Sequence, residues 1–440
     1  MSIFKACDIR GRCPEELDPA LAEAIGRAIG SELDGADCVV GGDVRSSTPD
    51  LKDALCRGLV GAGVDVTDLG IVPTPVAYWA RRHLGTRGAA IVTASHNPPG
   101  YNGVKFMLSD RPVKPSDVRR IEQLVEAGEF RSGQGRTASR DVRAAYMGWL
   151  AERFEGTGGG LRVLVDAGNG TASTWAPPAF RSAGYELTEL FCTPDGSFPN
   201  RSPNPSTRKA LTTAAARVGE TGADFAACFD GDGDRVVFLD EAGEFVDAEK
   251  ALILYARDLL RQAPGAAVVY DLKCTRTVPA EIRKAGGRPV MERSGHAFIK
   301  RRLLEEDAVF AGEASGHFFF GALGGDDGLY AALRMGELVA AGGRSLRELL
   351  AGIPPYHISD DIRIRDLPDG ATAVIRRLRE AFSDRPQDHT DGVRIEFDGG
   401  WALCRPSVTE PAVTLRVEGD SPERMEEIKQ LVLSRISPGA

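Results

Sequence analysis

One stretch limits the possibilities more than any other: Asp230-Gly231-Asp232-Gly233-Asp234-Arg235, entered directly from an apolar run at 225–229. Three carboxylates at alternate positions repel one another when held a few Å apart, so a chain that gathers them needs a cation among them. The glycines let the backbone turn tightly enough for alternate side chains to converge on one ion. An isolated Asp-Gly-Asp reads equally well as a solvated acidic turn; a third aspartate in register, straight after a buried-looking strand, favours a metal. Calcium loops also use alternate carboxylates, and Glu241 stands twelfth counting from Asp230. The sixth position, however, is Arg235 where that loop needs glycine. The flanks at 225–229 and 236–239 also read as strands, whereas a calcium loop sits between helices. Magnesium, completing its shell with a phosphate oxygen, fits better.

The same frame of strand, polar loop and strand recurs. A short buried strand at 38–40 ends in Gly41-Gly42-Asp43-Val44-Arg45, Thr48-Pro49-Asp50 opens a helix, and a strand at 89–92 runs into Thr93-Ala94-Ser95-His96-Asn97-Pro98-Pro99-Gly100, followed by a strand at 104–107. Strand 162–165 ends in Asp166-Ala167-Gly168-Asn169-Gly170 before the Asp230 loop. Strand 267–270 ends in Asp271-Leu272-Lys273-Cys274-Thr275-Arg276 before Gly312-Glu313-Ala314-Ser315-Gly316-His317. Repetition of this order, without residue-level identity, predicts three similar, mostly parallel α/β domains. The last 80 or so residues read as a C-terminal α+β domain, with strands near 361–364, 393–397, 402–404 and 413–417 and a closing helix from Pro422. The expected borders are 1–142, 143–244, 245–356 and 357–440. Ligands of parallel sheets sit beyond the carboxyl ends of the strands, so the second loops of the three units are expected to face one central cleft.

The 440 residues leave room for about three domains of ordinary size. A net charge of −9 argues against nucleic acid and anionic membranes as partners. Lys300-Arg301-Arg302 stays compatible with a small anion. No apolar run approaches the roughly 20 residues of a membrane span, there is no signal-peptide core, and the eight cysteines form no CxxC pair. A cytoplasmic protein is expected.

Ser95 lies in a turn-rich segment where most serines only cap or hydrogen-bond locally. The Gly-x-Ser-x-Gly of hydrolases is absent, and His96, as an immediate neighbour, is expected to point away from it. A serine near a magnesium loop suggests phosphoryl transfer through a phosphoserine, with Lys105 and Arg235 assisting. Glu313 and Ser315 could accept hydrogen bonds from sugar hydroxyls, or Glu313 could merely cap a turn. Asp326-Asp327 reads as the N-cap of a helix that Gly342 closes. Arg405-Pro406-Ser407-Val408-Thr409-Glu410-Pro411 gathers a guanidinium, two hydroxyls and backbone amides, enough to hold a phosphate or to be a generic turn.

Taken together these motifs resemble the α-D-phosphohexomutases, especially the phosphomannomutase/phosphoglucomutase branch. The resemblance spans essentially the whole chain: Phe4-Lys5-Ala6-Cys7-Asp8-Ile9-Arg10-Gly11, Thr93–Pro98 with Gly103-Val104-Lys105-Phe106, the Asp230 loop, Gly295-His296-Ala297-Phe298-Ile299-Lys300, Gly312–His317 with Asp326-Asp327-Gly328, and the Arg405 loop. It implies four domains around a cleft, a phosphoserine at Ser95, and Mg²⁺ held by Asp230, Asp232, Asp234 and that phosphate. Glu313 and Ser315 would bind sugar hydroxyls. Arg405, Ser407, Thr409 and Arg416 would bind the distal phosphate, and Arg10, Lys105, Lys273, His296 and His317 would line the cleft. The implied reaction interconverts hexose 6-phosphate and hexose 1-phosphate through a hexose 1,6-bisphosphate, with phosphosugars as partners and a monomer or small homo-oligomer as the assembly. Cys7, Val408 and Ala314 depart from the family pattern, the last at a position where mannose/glucose and glucosamine enzymes differ. The 271–276 loop leans towards mannose and glucose. Phosphoglucosamine mutase and a non-catalytic sugar-phosphate-binding protein are the alternatives.

Overall fold

The computed structural model describes residues 2–365, 367, 369–406 and 412–436. Among these, the strands form four sheets. In the first, Ile9–Arg12, Tyr101–Met107, Gly88–Val92, Cys38–Gly42, Val66–Ile71 and Thr137–Ser139 lie side by side in that order. The second runs Phe245–Val246, Val236–Asp240, Phe225–Phe229, Arg162–Asp166, Glu186–Leu190, and the third Arg288–Glu292, Ala267–Asp271, Phe310–Gly312, Phe318–Phe320, Gly325–Asp326. The second sheet thus takes in Phe245–Val246, which the expected border at 244 leaves to the next unit.

In each of these sheets a parallel half meets an antiparallel half, and the junction is a hairpin. Ile91 faces Lys105 across the first hairpin, Phe229 faces Val236 across the second, and Gly312 faces Phe318 across the third. The loops singled out in the sequence are these three hairpin connections. Strands Gly88–Val92, Phe225–Phe229 and Phe310–Gly312 are buried throughout, as strands covered by helices on both faces must be.

The fourth sheet is wholly antiparallel: His357–Ile358 and Ile362–Ile364 both pair with Val413–Gly419, followed by Gly400–Pro406, Val393–Phe397 and Gln387–Asp388. Ile428, Val432 and Ile436 of helix Pro422–Ile436 are buried in its separate core.

One apolar cluster runs through the first three units, from Val39 and Ile91 through Phe225 and Phe229 to Phe318 and Tyr330. Helix Arg143–Phe154 supplies the link. Tyr146 packs edge-on against Trp79, 5.4 Å away, and Trp175, 5.8 Å away, and its hydroxyl donates to Asp327 at 2.6 Å.

On the outer face of the first sheet, helices Pro19–Glu32 and Thr48–Gly61 press together. Asp18 caps the first by accepting from the Leu21 amide at 2.8 Å. Glycine is required at the crossing: a Cβ on Gly26 would stand 2.3 Å from the Leu55 carbonyl oxygen, and one on Gly58 would stand 2.1 Å from that of Glu23. Gly26→Ala is therefore expected to cost about 1–3 kcal/mol through overpacking, read as a lower midpoint for the first thermal or urea transition.

Candidate active site

The first loop leaves the sheet under unusual constraint. Ser95, 1% exposed, has φ 51°, in the left-handed region that a residue with a Cβ enters at a cost. Its amide donates to Thr93 Oγ1 at 2.8 Å, and the Thr93 hydroxyl donates to Asp43 at 2.7 Å. The fully buried Arg45 pairs with Asp43 at 3.0 Å. The same guanidinium donates to the carbonyls of Ser95, Asn97, Pro98 and Tyr101 at 2.6–2.9 Å. One cation thus satisfies a loop whose inward carbonyls have no strand partner.

The second loop closes on the first. The Ser95 hydroxyl donates to Asp230 Oδ2 at 2.8 Å, and Asp230 Oδ1 accepts the amides of Gly233 at 3.0 Å and Arg235 at 3.2 Å. Asp232 accepts Thr74 Oγ1 at 2.6 Å and Lys105 Nζ at 2.8 Å, and Asp234 accepts Lys105 Nζ at 2.6 Å. A Cβ on Gly231 would lie 2.5 Å from the Ser95 carbonyl oxygen, so glycine is what allows the two loops to touch.

Burial, together with Asp232 and Asp234, drives the Asp230 carboxyl well above the usual carboxylate range. Burial also pushes Asp234 up, but Lys105, His317 and Arg235 outweigh it and hold that carboxyl well below the range. Lys105 loses by burial and gains more from Asp232 and Asp234, which keep it charged. Asp232 Oδ1 and Asp234 Oδ1 are buried without a hydrogen-bond partner. One oxygen from each of the three aspartates lies within 4.8 Å of the others. Hard oxygens of this charge, two of them unpartnered, fit a divalent cation.

The third loop completes the wall. Ser315 Oγ donates to Glu313 Oε2 at 2.7 Å, and the Gly295 amide donates to Oε1 at 3.2 Å. Burial raises the Glu313 carboxyl. Arg235 Nε donates to His317 Nε2 at 2.9 Å; since a guanidinium only donates, the imidazole proton lies on Nδ1, which faces Asp326 Oδ2 at 2.9 Å. Asp327 does cap helix Gly328–Gly342, accepting the Tyr330 amide at 3.0 Å, and Gly343 ends that helix. Asp326 does not: it holds His317. His96 also departs from expectation, because its Nδ1 lies 3.3 Å from Ser95 Oγ rather than pointing away; the left-handed turn at Ser95 brings the neighbouring side chains together. Burial, with Arg235 and Arg10, keeps His96 well below its usual value, and burial with Lys105 lowers His296 to about 4.

Beyond these loops opens a cleft of about 800 Å³. Arg10, Arg235, Lys273, His296, Glu313, Ser315, His317 and Arg405 line it, while Ser95, Lys105 and the three aspartates are buried, Ser95 and Asp234 next in sequence to the lining residues His96 and Arg235. Arg10 pairs with Asp8 and donates to Asn97 Oδ1 at 2.8 Å. Lys273 pairs with Asp361. Arg416 does not line the cleft; it reaches Glu249 at 2.8 Å and Asp361 at 3.6 Å. Ser407 and Thr409, with Val408, lie outside the described residues. Cys7 lines the cleft with a thiol that burial pushes up to about 12.

Sequence reasoning missed Asp43, Arg45, Thr74 and Asp326. A signal for Asp43 was present: Asp166 and Asp271 each end a strand and Asp43 directly follows one, and each accepts the amide two residues on, from Arg45 at 3.0 Å, Gly168 at 2.8 Å and Lys273 at 2.9 Å.

This fold, with its serine, acidic trio and cleft, defines a class that sequence comparison identifies. The phosphoglucomutase/phosphomannomutase α/β/α domains I, II and III match residues 1–132, 145–243 and 247–356, and the family's C-terminal domain matches 365–434. The chain belongs to the phosphoglucomutase/phosphomannomutase family. It is 37% identical to a phosphomannomutase/phosphoglucomutase of Pseudomonas aeruginosa over 442 residues, 99% of this chain and 95% of that one. It is 39% identical to a phosphomannomutase of Salmonella montevideo over 455 residues, 99% of each. A crystal structure of a phosphoglucomutase/phosphomannomutase family protein from Burkholderia thailandensis superposes with a TM-score of 0.93 at 36% identity, covering 100% of this chain and 98% of that one.

Because Arg45 and Asp43 are both fully buried, Arg45→Met is expected to cost about 3–5 kcal/mol by leaving a buried carboxylate uncompensated. Urea unfolding measures that loss, and limited proteolysis should find new cleavage within 95–101.

Proposed function

We propose that the protein interconverts hexose 6-phosphate and hexose 1-phosphate, with mannose and glucose as its sugars, through a phosphoserine at Ser95 and a hexose 1,6-bisphosphate. The observation that carries this reading is the contact of Ser95 Oγ with Asp230 at 2.8 Å, Asp230 belonging to a buried acidic trio, with His96 and Arg235, the sequence neighbours of Ser95 and Asp234, lining the cleft. Asp230, Asp232 and Asp234, with the oxygen of Ser95, would hold a Mg²⁺ ion that neutralises phosphate charge.

In the first half-reaction the serine O–P bond breaks as a sugar hydroxyl oxygen bonds to phosphorus, and the proton of that hydroxyl ends on the released Ser95 oxygen. His317, with Nε2 unprotonated, and Lys105, both held against the Asp230 loop, would move protons there. Arg235 and Arg10 bring charge that steadies the phosphoryl oxygens. The bisphosphate then turns end for end, and its other phosphate returns to Ser95. Glu313 and Ser315 would hold the sugar hydroxyls, while Arg405, Ser407, Thr409 and Lys273 would hold whichever phosphate is distal, with Arg416 joined to Lys273 through Asp361. A fixed distal site is what lets either end of the sugar face the same serine.

The units 1–142, 143–244, 245–356 and 357–440 would then carry the serine, metal, sugar and phosphate loops respectively. Eight free cysteines, five of them buried, support a reducing cytoplasmic setting. Among the described residues no helix is long and apolar enough to cross a membrane.

Mass spectrometry of the native protein should find one phosphate on Ser95. Ser95→Ala should abolish turnover of mannose and glucose phosphates, and full activity in that variant would exclude the mechanism. Rates on mannose, glucose and glucosamine phosphates measured side by side assign the preferred sugar. Arg405→Ala should raise KM with a smaller effect on kcat, since a lost charge-assisted contact to phosphate costs about 1.5–3 kcal/mol; steady-state kinetics separates the two.

A further inference from the structure

Four cations gather where the third and fourth sheets meet: Lys273, Arg293, Arg405 and Arg416. Each already faces a carboxylate. Lys273 has Asp361, and Arg416 has Glu249 at 2.8 Å. Arg405 Nε lies 3.1 Å from Asp391 Oδ2, and Arg293 Nη2 lies 3.5 Å from Asp391 Oδ1. Only one of these three acids opens on the cleft: Asp391 lines it together with Arg293 and Arg405, whereas Glu249 and Asp361 do not. Asp391 is also 9% exposed, so its charge is poorly screened, and it ties an arginine of the third unit to one of the fourth. A phosphate that approaches Arg405 from the cleft meets an anion already on that guanidinium. Two anions on one half-buried guanidinium repel each other.

We propose that Asp391 is the resident counter-anion of the phosphate subsite, holding Arg405 and Arg293 until the phosphate of a bound sugar displaces it from Arg405. This rests on the reading of Arg405 as a phosphate ligand given above. The exchange has two effects on that reaction. It selects for a phosphate dianion, since a group with no more charge than a carboxylate gains nothing by replacing one. It also eases release: when the bisphosphate lets go to turn round, Asp391 retakes Arg405, so the departing phosphate does not leave a bare guanidinium behind. Asp391 is accordingly a positioning and specificity residue and takes no part in bond making.

The test is calorimetric titration of the full chain with inorganic phosphate, a readout independent of turnover. Asp391→Asn keeps the shape and removes the charge, and is expected to bind phosphate about tenfold more tightly than the wild type. Asp391→Ser serves if the asparagine variant fails to fold. The gain should vanish in Asp391→Asn combined with Arg405→Met. With phosphosugar, Asp391→Asn should lower KM while kcat stays level or falls. Phosphate binding no tighter than in the wild type, or a gain that survives loss of Arg405, overturns the exchange. Undiminished phosphate binding in Arg405→Met alone would instead remove the phosphate reading of Arg405 on which the exchange depends, so the two failures are distinguishable.

Discussion

Three carboxylates buried within reach of one ion are tolerable only while positive charge stays among them, and the rest of the active centre follows from that condition. Lys105 supplies part of it, bridging Asp232 and Asp234 from the opposite hairpin at 2.8 and 2.6 Å. The lysine therefore has to arrive on a strand whose register is fixed, and pairing opposite Ile91 achieves that. Ser95 is brought to Asp230 by the same hairpin. Charge balance in one loop thus dictates the docking of two sheets. The two unpartnered oxygens of Asp232 and Asp234 show that Lys105 alone leaves the demand incomplete.

The first two units meet their local demands with the same device. Each sends its central strand into an irregular loop, and a loop buried beneath neighbours must have its carbonyls satisfied from within the protein. In the first unit Arg45, paired with Asp43, serves the Ser95 loop; in the second Arg201, paired with Asp166 at 2.7 Å, donates to the Phe229 carbonyl at 2.7 Å just before Asp230. These arginines touch no reacting group. They hold buried loop backbone in place, and their burial makes them costly to lose.

The architecture was largely legible in the sequence, because strand runs, turn residues and helix caps are local signals. The three hairpin loops could be named from order alone. What escaped was what depends on distance in space. Arg45 looked like one more polar residue after a strand, since nothing in a sequence tells that its partners are carbonyls 50 or more residues away. Asp326 and Asp327 share one motif but face opposite ways, one to His317 and one to the helix start, a division set by the two-residue strand Gly325–Asp326. His96 lies beside Ser95 because of a backbone angle that ordinary propensities disfavour. Arg416 belongs to the expected phosphate set by resemblance, and its strand sets it against Glu249 and Asp361, the carboxylate that Lys273 also meets.

The linking role of Tyr146 has a mechanical meaning. A single side chain that packs on the first two units and hydrogen-bonds to the third, within a continuous apolar core, makes those three parts one stiff frame. The fourth part has its own core and touches the third through a small apolar patch of Leu272, Trp401 and Leu403, together with polar contacts such as Thr275 to Glu418 at 2.7 Å. Polar contacts exchange with water at little net cost, whereas separating packed apolar faces is expensive. Among the described residues the seam of least resistance therefore runs beside Lys273 and Arg405, and any breathing of the cleft is borne by that side of the site.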